Sequence, residues 1–355
     1  MATDLDTVTA QPEILMAVSA AVTVSGVIQA ALLWWGVRRL GVGVRLSWPR
    51  LTTGVRKTLA LAIPGVLAGG AFQINSLVSQ FLAGSNEGAR SVLYNADRLY
   101  QLPLGLVGVA IGIALLPRLS AAVASKDHAQ QQASMDEALC LSMALTLPAA
   151  AALMAMPYFL IDALFTRGAF LQVDAVNTAQ ALLHFGWGVP AFVLIRILAP
   201  AFFARGDTRT PMTFALVSVA VNAALAIGLF NLGMGIAGIA AAVSAAAWSN
   251  ALLLASTLWR RGDYRPSSAA VSRLLRIALA SAGLALVVGV ASWARPWIEG
   301  PTADLLNAVQ MSVGAKEVSL LLVTAAGGLA YVALAFATRA VTLAEVKGLL
   351  RRGGR

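Results

Sequence analysis

The chain has 355 residues, 59% of them hydrophobic and 12% charged, with a mean hydropathy of +0.77. A water-soluble domain carries about 25% charge, and a porin-like barrel shows alternating segments of about ten residues, so neither class fits. The net charge of +10 raises the question of nucleic-acid binding, which the placement of the charges answers.

Long, mostly apolar stretches read as membrane-spanning helices. The opening MATDLDTVTAQPEIL is polar and acidic with no basic n-region, unlike a secretory signal peptide. It reads as a loop ahead of a later helix of a larger protein, so a fragment is expected. Nine spans follow, at 14–37, 58–83, 91–117, 137–160, 178–204, 211–231, 236–259, 274–297 and 317–338. An odd number puts the termini on opposite sides. Pro64, Pro103, Pro117, Pro148, Pro190 and Pro200 lie inside spans. Each removes a backbone donor and tends to kink its helix, as in transporters built from broken helices. Gly65–Gly69 and Gly108–Gly112 have the spacing of close helix contacts, which tight packing alone explains. Cys140 is the only cysteine, so no intrachain disulfide is expected, and His128 and His184 do not suggest a metal site.

Alternate connections differ sharply in charge. With Arg276 and Arg295, at the two ends of the span 274–297, counted with the connections they adjoin, those after the first, third, fifth, seventh and ninth spans hold 20 of the 26 Lys and Arg residues, and the others hold 4. The positive-inside rule then places the C-terminus in the cytoplasm and the N-terminus outside. The basic balance is a topology signal plus attraction to anionic headgroups, with no soluble basic module left to bind nucleic acid.

The two remaining basic residues, Arg98 and Arg196, fall inside spans, where a charge at the bilayer centre costs on the order of 2.5–3.5 kcal/mol. Arg98, in YNADRLYQ, lies roughly 10 Å into its span and Arg196, in FVLIRILAP, roughly 12 Å from the cytoplasmic end, at 1.5 Å per residue. Neighbouring helix residues point about 100° apart, so Asp97 and Arg98 cannot pair well with each other. Arg98 is read as facing a cavity and Asp97 as a carboxylate that orients an arginine. Arg196 is read equally as a cavity residue and as one that snorkels to the surface. Gln73, Ser76 and Gln80 share one helix face, with Asn75 and Ser79 beside them. They suit a wet cavity lining, and interhelical hydrogen bonds explain them almost as well. Fixed guanidinium with few acids suits an anionic, phosphate-bearing substrate. No Ser/His/Asp grouping, HExxH, GxxxxGK[ST] or GxGxxG after a strand occurs. Neither catalysis, a cofactor nor an ATP-driven step within this chain is therefore expected.

Three long motifs carry a family resemblance. YNADRLYQLPLGLVGVAIGIALLPRLS at 94–120, LFTRGAF at 164–170 and VPAFVLIRILAPAFFARGDTRTP at 189–211 resemble the eighth helix, an outer loop, and the tenth helix with its following loop in the MurJ/MviN family of lipid II flippases. The resemblance implies a MATE-like exporter fold of fourteen helices in two lobes. It also implies flipping of a lipid-linked disaccharide-pentapeptide across the bacterial plasma membrane by alternating access, in peptidoglycan biosynthesis. The nine spans then match the sixth to fourteenth helices. Residues 1–57 would be the last N-lobe helix and a basic linker, 58–262 a six-helix lobe, and 263–355 two extra helices and a basic tail, with most of the N-terminal lobe lacking. By the same resemblance Arg98 engages the pyrophosphate, and Asp97, Arg196, Gln73, Asn75, Ser76 and Gln80 complete the candidate substrate site. Lipid II and membrane lipids are the implied partners, with cell-wall synthesis proteins as further candidates. Gln101 departs from the pattern, since many relatives carry Glu there. The competing expectations are an exporter of another polyprenyl-pyrophosphate glycan, a drug or cation antiporter, and a non-transporting membrane scaffold.

Overall fold

The computed structural model describes residues 12–41, 52–84, 88–168, 170–308 and 314–341. All regular structure among them is helical. Two compact units divide the chain, Met1–Lys57 and Thr58–Arg355. The first contains α1 (Pro12–Arg39), whose last turn stacks Arg38 over Trp34 and Arg39 over Trp35, with guanidinium carbons 5.1 and 4.1 Å from the ring centroids. Paired aromatic and basic residues of this kind anchor a helix end at a membrane interface.

From residue 53 onward the helices are α2 (Thr53–Ala83), α3 (Ala89–Ala124), α4 (His128–Ala155), α5 (Pro157–Phe165), α6 (Gln172–Phe203), α7 (Arg209–Leu229), α8 (Gly235–Arg261), α9 (Ser268–Trp293), α10 (Arg295–Ala308) and α11 (Ala315–Ala337). Every expected span is helical over most of its length. Asp127 starts α4 well before residue 137 by accepting a hydrogen bond from Gln130 N at 2.9 Å, an N-cap. The span expected at 137–160 is broken at Met156, because Pro157 lacks an N–H and fits the first position of a new helix. The short α10 was not expected, since it straddles the end of the span at 274–297 and the connection after it. Pro64, Gly65–Gly69 and Gly108–Gly112 lie in α2 and α3, but their packing falls outside the described residues, as do residues 1–11.

Six stretches of the described residues are long and apolar enough to cross a membrane. One of them, Arg209–Arg261, has 53 residues, about 80 Å if straight, far more than a hydrocarbon core of about 30 Å. It is two helices, folded where Gly233 and Gly235 take φ of 86° and 54°, values open to glycine without a side-chain penalty.

α6 is the centre of the second unit and packs on α3, α4 and α8. Its contact with α8 is close because Gly188 faces Ser244: a Cβ at Gly188 would lie 3.1 Å from the Ser244 Cα. Ser244 Oγ donates to His184 O at 2.7 Å and Trp248 Nε1 to Trp187 O at 2.9 Å, tying α8 to the backbone of α6 near Pro190.

Among the described residues, two sets of connections are each tied together by charged side chains. At the basic end Arg205 donates to Gln131 Oε1 at 2.9 Å and Ala201 O at 2.7 Å, and pairs with Asp263 at 3.1 Å. It thereby joins the turns after α3, α6 and α8. Arg261 pairs with Asp207 at 2.7 Å. Burial raises the Asp207 carboxyl, but hydrogen bonds from Arg261 and Thr210 outweigh it and hold the group below the usual carboxylate range. At the opposite end the buried Asp162 of α5 accepts from Arg295 of α10 and pairs with Lys316 of α11 at 3.1 Å.

Candidate functional site

A cavity of 340 Å³ lies between α2 and α3, near the end opposite the Arg205 cluster. α2 contributes Asn75, Ser76, Ser79 and Gln80, α3 contributes Arg90, Ser91, Leu93, Tyr94, Asp97 and Tyr100, and Phe185 and Val243 close it from α6 and α8. The helical repeat explains the membership. Arg90, Tyr94 and Asp97 stand at i, i+4 and i+7 and fall on one stripe of α3. On α2, Asn75 with Ser79 and Ser76 with Gln80 are four apart; Ser79 Oγ donates to Asn75 O at 2.9 Å and Gln80 Nε2 to Ser76 Oγ at 3.1 Å. Asn75 Oδ1 is buried and has no partner among the described residues.

Of the residues expected to form the site, the structure brings Asn75, Ser76, Gln80 and Asp97 together. Gln73 is exposed and stands off the lining, further along α2 from the end that meets Arg90. Arg98 also stands off it. Its guanidinium lies 4.7 Å from the Tyr94 ring centroid and donates to the Tyr94 hydroxyl, so it reaches the cavity only through that tyrosine. Arg196 donates to Leu104 O at 2.7 Å and bridges α6 to α3 away from the lining.

Asp97 and Arg98 do take different partners, as their 100° separation requires. Asp97 accepts from Gln101 Nε2, and the Tyr100 hydroxyl lies beside it. Among the described residues the carboxylate is thus held by an amide and a phenol rather than orienting an arginine, as was expected of it. The Tyr100 ring is 2% exposed and stacks between Phe185 and Phe192, with centroids at 4.7 and 5.6 Å. That clamp fixes the floor of the cavity.

Sequence reasoning missed Arg90, Ser91, Tyr94, Tyr100, Phe185 and Val243. Arg90 was counted with a loop, although its place seven residues before Asp97 was a legible signal. Phe185 and Val243 come from α6 and α8, distant in sequence, and had none.

Six stretches of the described residues long and apolar enough to cross a membrane, with large apolar side chains on the exterior, define a helical multi-pass membrane protein. The sequence model of the family described as "Lipid II flippase MurJ" matches residues 5–306, and the chain belongs to that family. It is 39% identical over 332 residues to a "Probable lipid II flippase MurJ" of Rhizobium meliloti (strain 1021), covering 94% of this chain and 60% of the relative. It is 45% identical over 242 residues to one of Rhizobium tropici, covering 68% and 45%. The chain thus spans about 60% or less of the length of these relatives. Among solved structures it resembles one described as "Lipid II flippase MurJ, inward closed conformation", with TM-score 0.60 and 20% identity over 88% of this chain and 60% of the other. A "Crystal structure of MATE in complex with MaL6" matches with TM-score 0.51 and 14% identity, covering 80% and 65%. These two likenesses establish the exporter fold.

Proposed function

We propose that this chain forms the substrate-facing wall of a lipid II flippase, which carries the lipid-linked peptidoglycan precursor across the bacterial plasma membrane by alternating access. The family match over residues 5–306 carries the reading of the substrate, and the α2–α3 cavity supplies a place for its polar headgroup. Transport needs no bond to be made or broken, so the side chains bind and orient. Arg98 on its Tyr94 platform, Asp97, Asn75, Ser76 and Gln80 are the residues we assign to the headgroup, with Gln73 and Arg196 at its margin. The basic end, with the C-terminus, is cytoplasmic on the positive-inside rule. The division at 57 and 262 belongs to the same reading. In it, α9 and α11, which expose Leu275, Leu279, Leu286, Leu321, Leu322 and Leu329, face the polyprenyl chain, and cell-wall synthesis proteins are candidate partners. A drug or cation antiporter fits less well, since the cavity's carboxylate, Asp97, is already engaged by Gln101.

The test is growth of bacteria depleted of their own flippase and supplied with the reading frame that encodes this chain. Rescue, together with accumulation of outward-facing precursor, is expected. Absence of rescue at normal membrane levels refutes the proposal.

A further inference from the structure

We infer that Arg90, rather than Arg98, is the guanidinium that first meets an anionic amphiphile at the open end of the α2–α3 cavity; this rests on the reading above. Arg90 lines the cavity directly, whereas Arg98 is held on the Tyr94 ring outside it. Helix geometry separates them: Arg90 and Asp97 are seven residues apart and point within about 20° of each other, while Arg90 and Arg98 diverge by about 80°. Among the described residues Arg90 makes no ion pair, unlike Arg205, Arg261 and Arg295. Its charge is thus available to a ligand.

The guanidinium lies across Gly84 just past the end of α2. A Cβ at Gly84 would come 3.2 Å from the Arg90 Cζ and closer still to Nη2, so a hydrogen at that position is what lets the side chain lie there. The recess has a mostly apolar lining that carries a few polar side chains, Arg90, Ser76, Ser79, Gln80 and Asp97 among them. Arg90 stands at one end and Asp97 about 10 Å further along α3 at 1.5 Å per residue. On α2, Asn75 Oδ1 is buried and has no hydrogen-bond partner among the described residues. Two opposite charges set apart in this way fit a ligand with an anionic group at the mouth and hydroxyl or amide donors deeper in. A planar guanidinium binds a pyrophosphate through paired hydrogen bonds. The chemical class is therefore a lipid pyrophosphate bearing a hydrogen-bond-donating headgroup, with Arg90 setting the orientation in which it docks.

The test measures binding of farnesyl pyrophosphate, farnesyl monophosphate and farnesol to the full chain in nanodiscs of neutral lipid, for wild type, Arg90→Gln, Arg90→Lys, Arg98→Gln and Gly84→Ala. Thermal melting of each variant confirms that it is folded. The inference expects Arg90→Gln to weaken pyrophosphate binding at least about tenfold, the loss of a charged hydrogen-bond donor, and to flatten its salt dependence while leaving farnesol unchanged. Arg90→Lys and Gly84→Ala should fall between, and Arg98→Gln should weaken binding less than Arg90→Gln. If wild type binds the pyrophosphate and Arg90→Gln binds it equally well, or Arg98→Gln alone abolishes binding, this inference fails and the flippase reading stands. If wild type does not distinguish pyrophosphate from farnesol, both fail.

Discussion

Asp162→Asn probes the cluster that fastens α5, α10 and α11 together. Asp162 is 3% exposed and its partner Arg295 13%, so water screens the pair weakly. The Lys316 arm is 42% exposed and adds at most about 1 kcal/mol. Removing one member of a buried pair costs about 3–5 kcal/mol, because the other charge stays buried. Arg295 keeps Glu299 at 2.6 Å and the Phe159 ring at 4.8 Å, which places the loss at the lower end, about 3 kcal/mol. At roughly 2 °C per kcal/mol for a long chain, the melting midpoint in detergent should fall on the order of 6 °C at a fixed scan rate. A double-mutant cycle with Arg295→Gln should show coupling, since the two side chains are in direct contact.

Acid gives an independent reading of the same pair. Burial raises the Asp162 carboxyl, but the Arg295 and Lys316 hydrogen bonds outweigh it and leave it below the ordinary value. A depressed native value contributes stability that is fully present above the unfolded value of about 3.9. That stability is lost as pH falls through the native value. The gap between wild type and Asp162→Asn should therefore be constant near neutrality and close on acidification. A midpoint indistinguishable from wild type, or additive single losses in the cycle, would refute the reasoning.

Three further outcomes are expected. Gly188→Ala brings a Cβ to 2.7 Å from the Ser244 Cβ and should cost about 1–3 kcal/mol by overpacking; thermal melting checks it, and Ser244→Ala should not relieve it because that Cβ remains. Arg98→Ala should abolish rescue of flippase-depleted cells at unchanged protein level, with Arg98→Lys only weakly active because an ammonium cannot make the planar, paired contact; full rescue by Arg98→Ala would make the residue structural. A cysteine at Ala129 should react with an impermeant maleimide only after the cells are opened, and one at Arg167 in intact cells, against the low background of the buried Cys140; the reverse pattern overturns the assigned orientation.

Hydropathy located the spans because burying a backbone in lipid demands long apolar helices, and charge alternation separated the two ends that Arg205 and Asp162 now mark. Helix interruptions were legible only where the residue that causes them was read locally. Pro157 restarts a helix through chemistry present in the sequence, yet an averaged apolar run conceals it. α10 was invisible to hydropathy for the opposite reason. Its RPWIEGPTADLLNA is too polar to stand out, and its helix is held by partners distant in sequence, Asp162 of α5 and Ser319 of α11, the latter 3.2 Å from Thr302. The cavity followed the same division. The α2 and α3 stripes obey the helical repeat and could be read. Phe185 and Val243 reach the site through tertiary packing, which no local pattern encodes.

Gln101 shows how a single departure sets the charge of the site. It stands four residues after Asp97, on the same face of α3, and donates to its carboxylate. An acid at this position would place two carboxylates at i and i+4, a spacing at which like charges repel, in a helix expected to span the membrane, where each charge is already costly. An amide replaces that repulsion with a hydrogen bond and removes one negative charge from the neighbourhood of the cavity. The carboxylate that remains is occupied by Gln101 and set beside Tyr100, whose ring Phe185 and Phe192 hold in place. Arg90 on the lining, with Arg98 on Tyr94 next to it, then dominates the field a ligand meets, so an anion is favoured at the mouth even though an acid lies at the floor. Gln101→Glu should accordingly weaken pyrophosphate binding in the nanodisc assay most at low salt, where repulsion is least screened. An unchanged affinity across salt would show that Asp97 and its neighbour do not shape the field at Arg90.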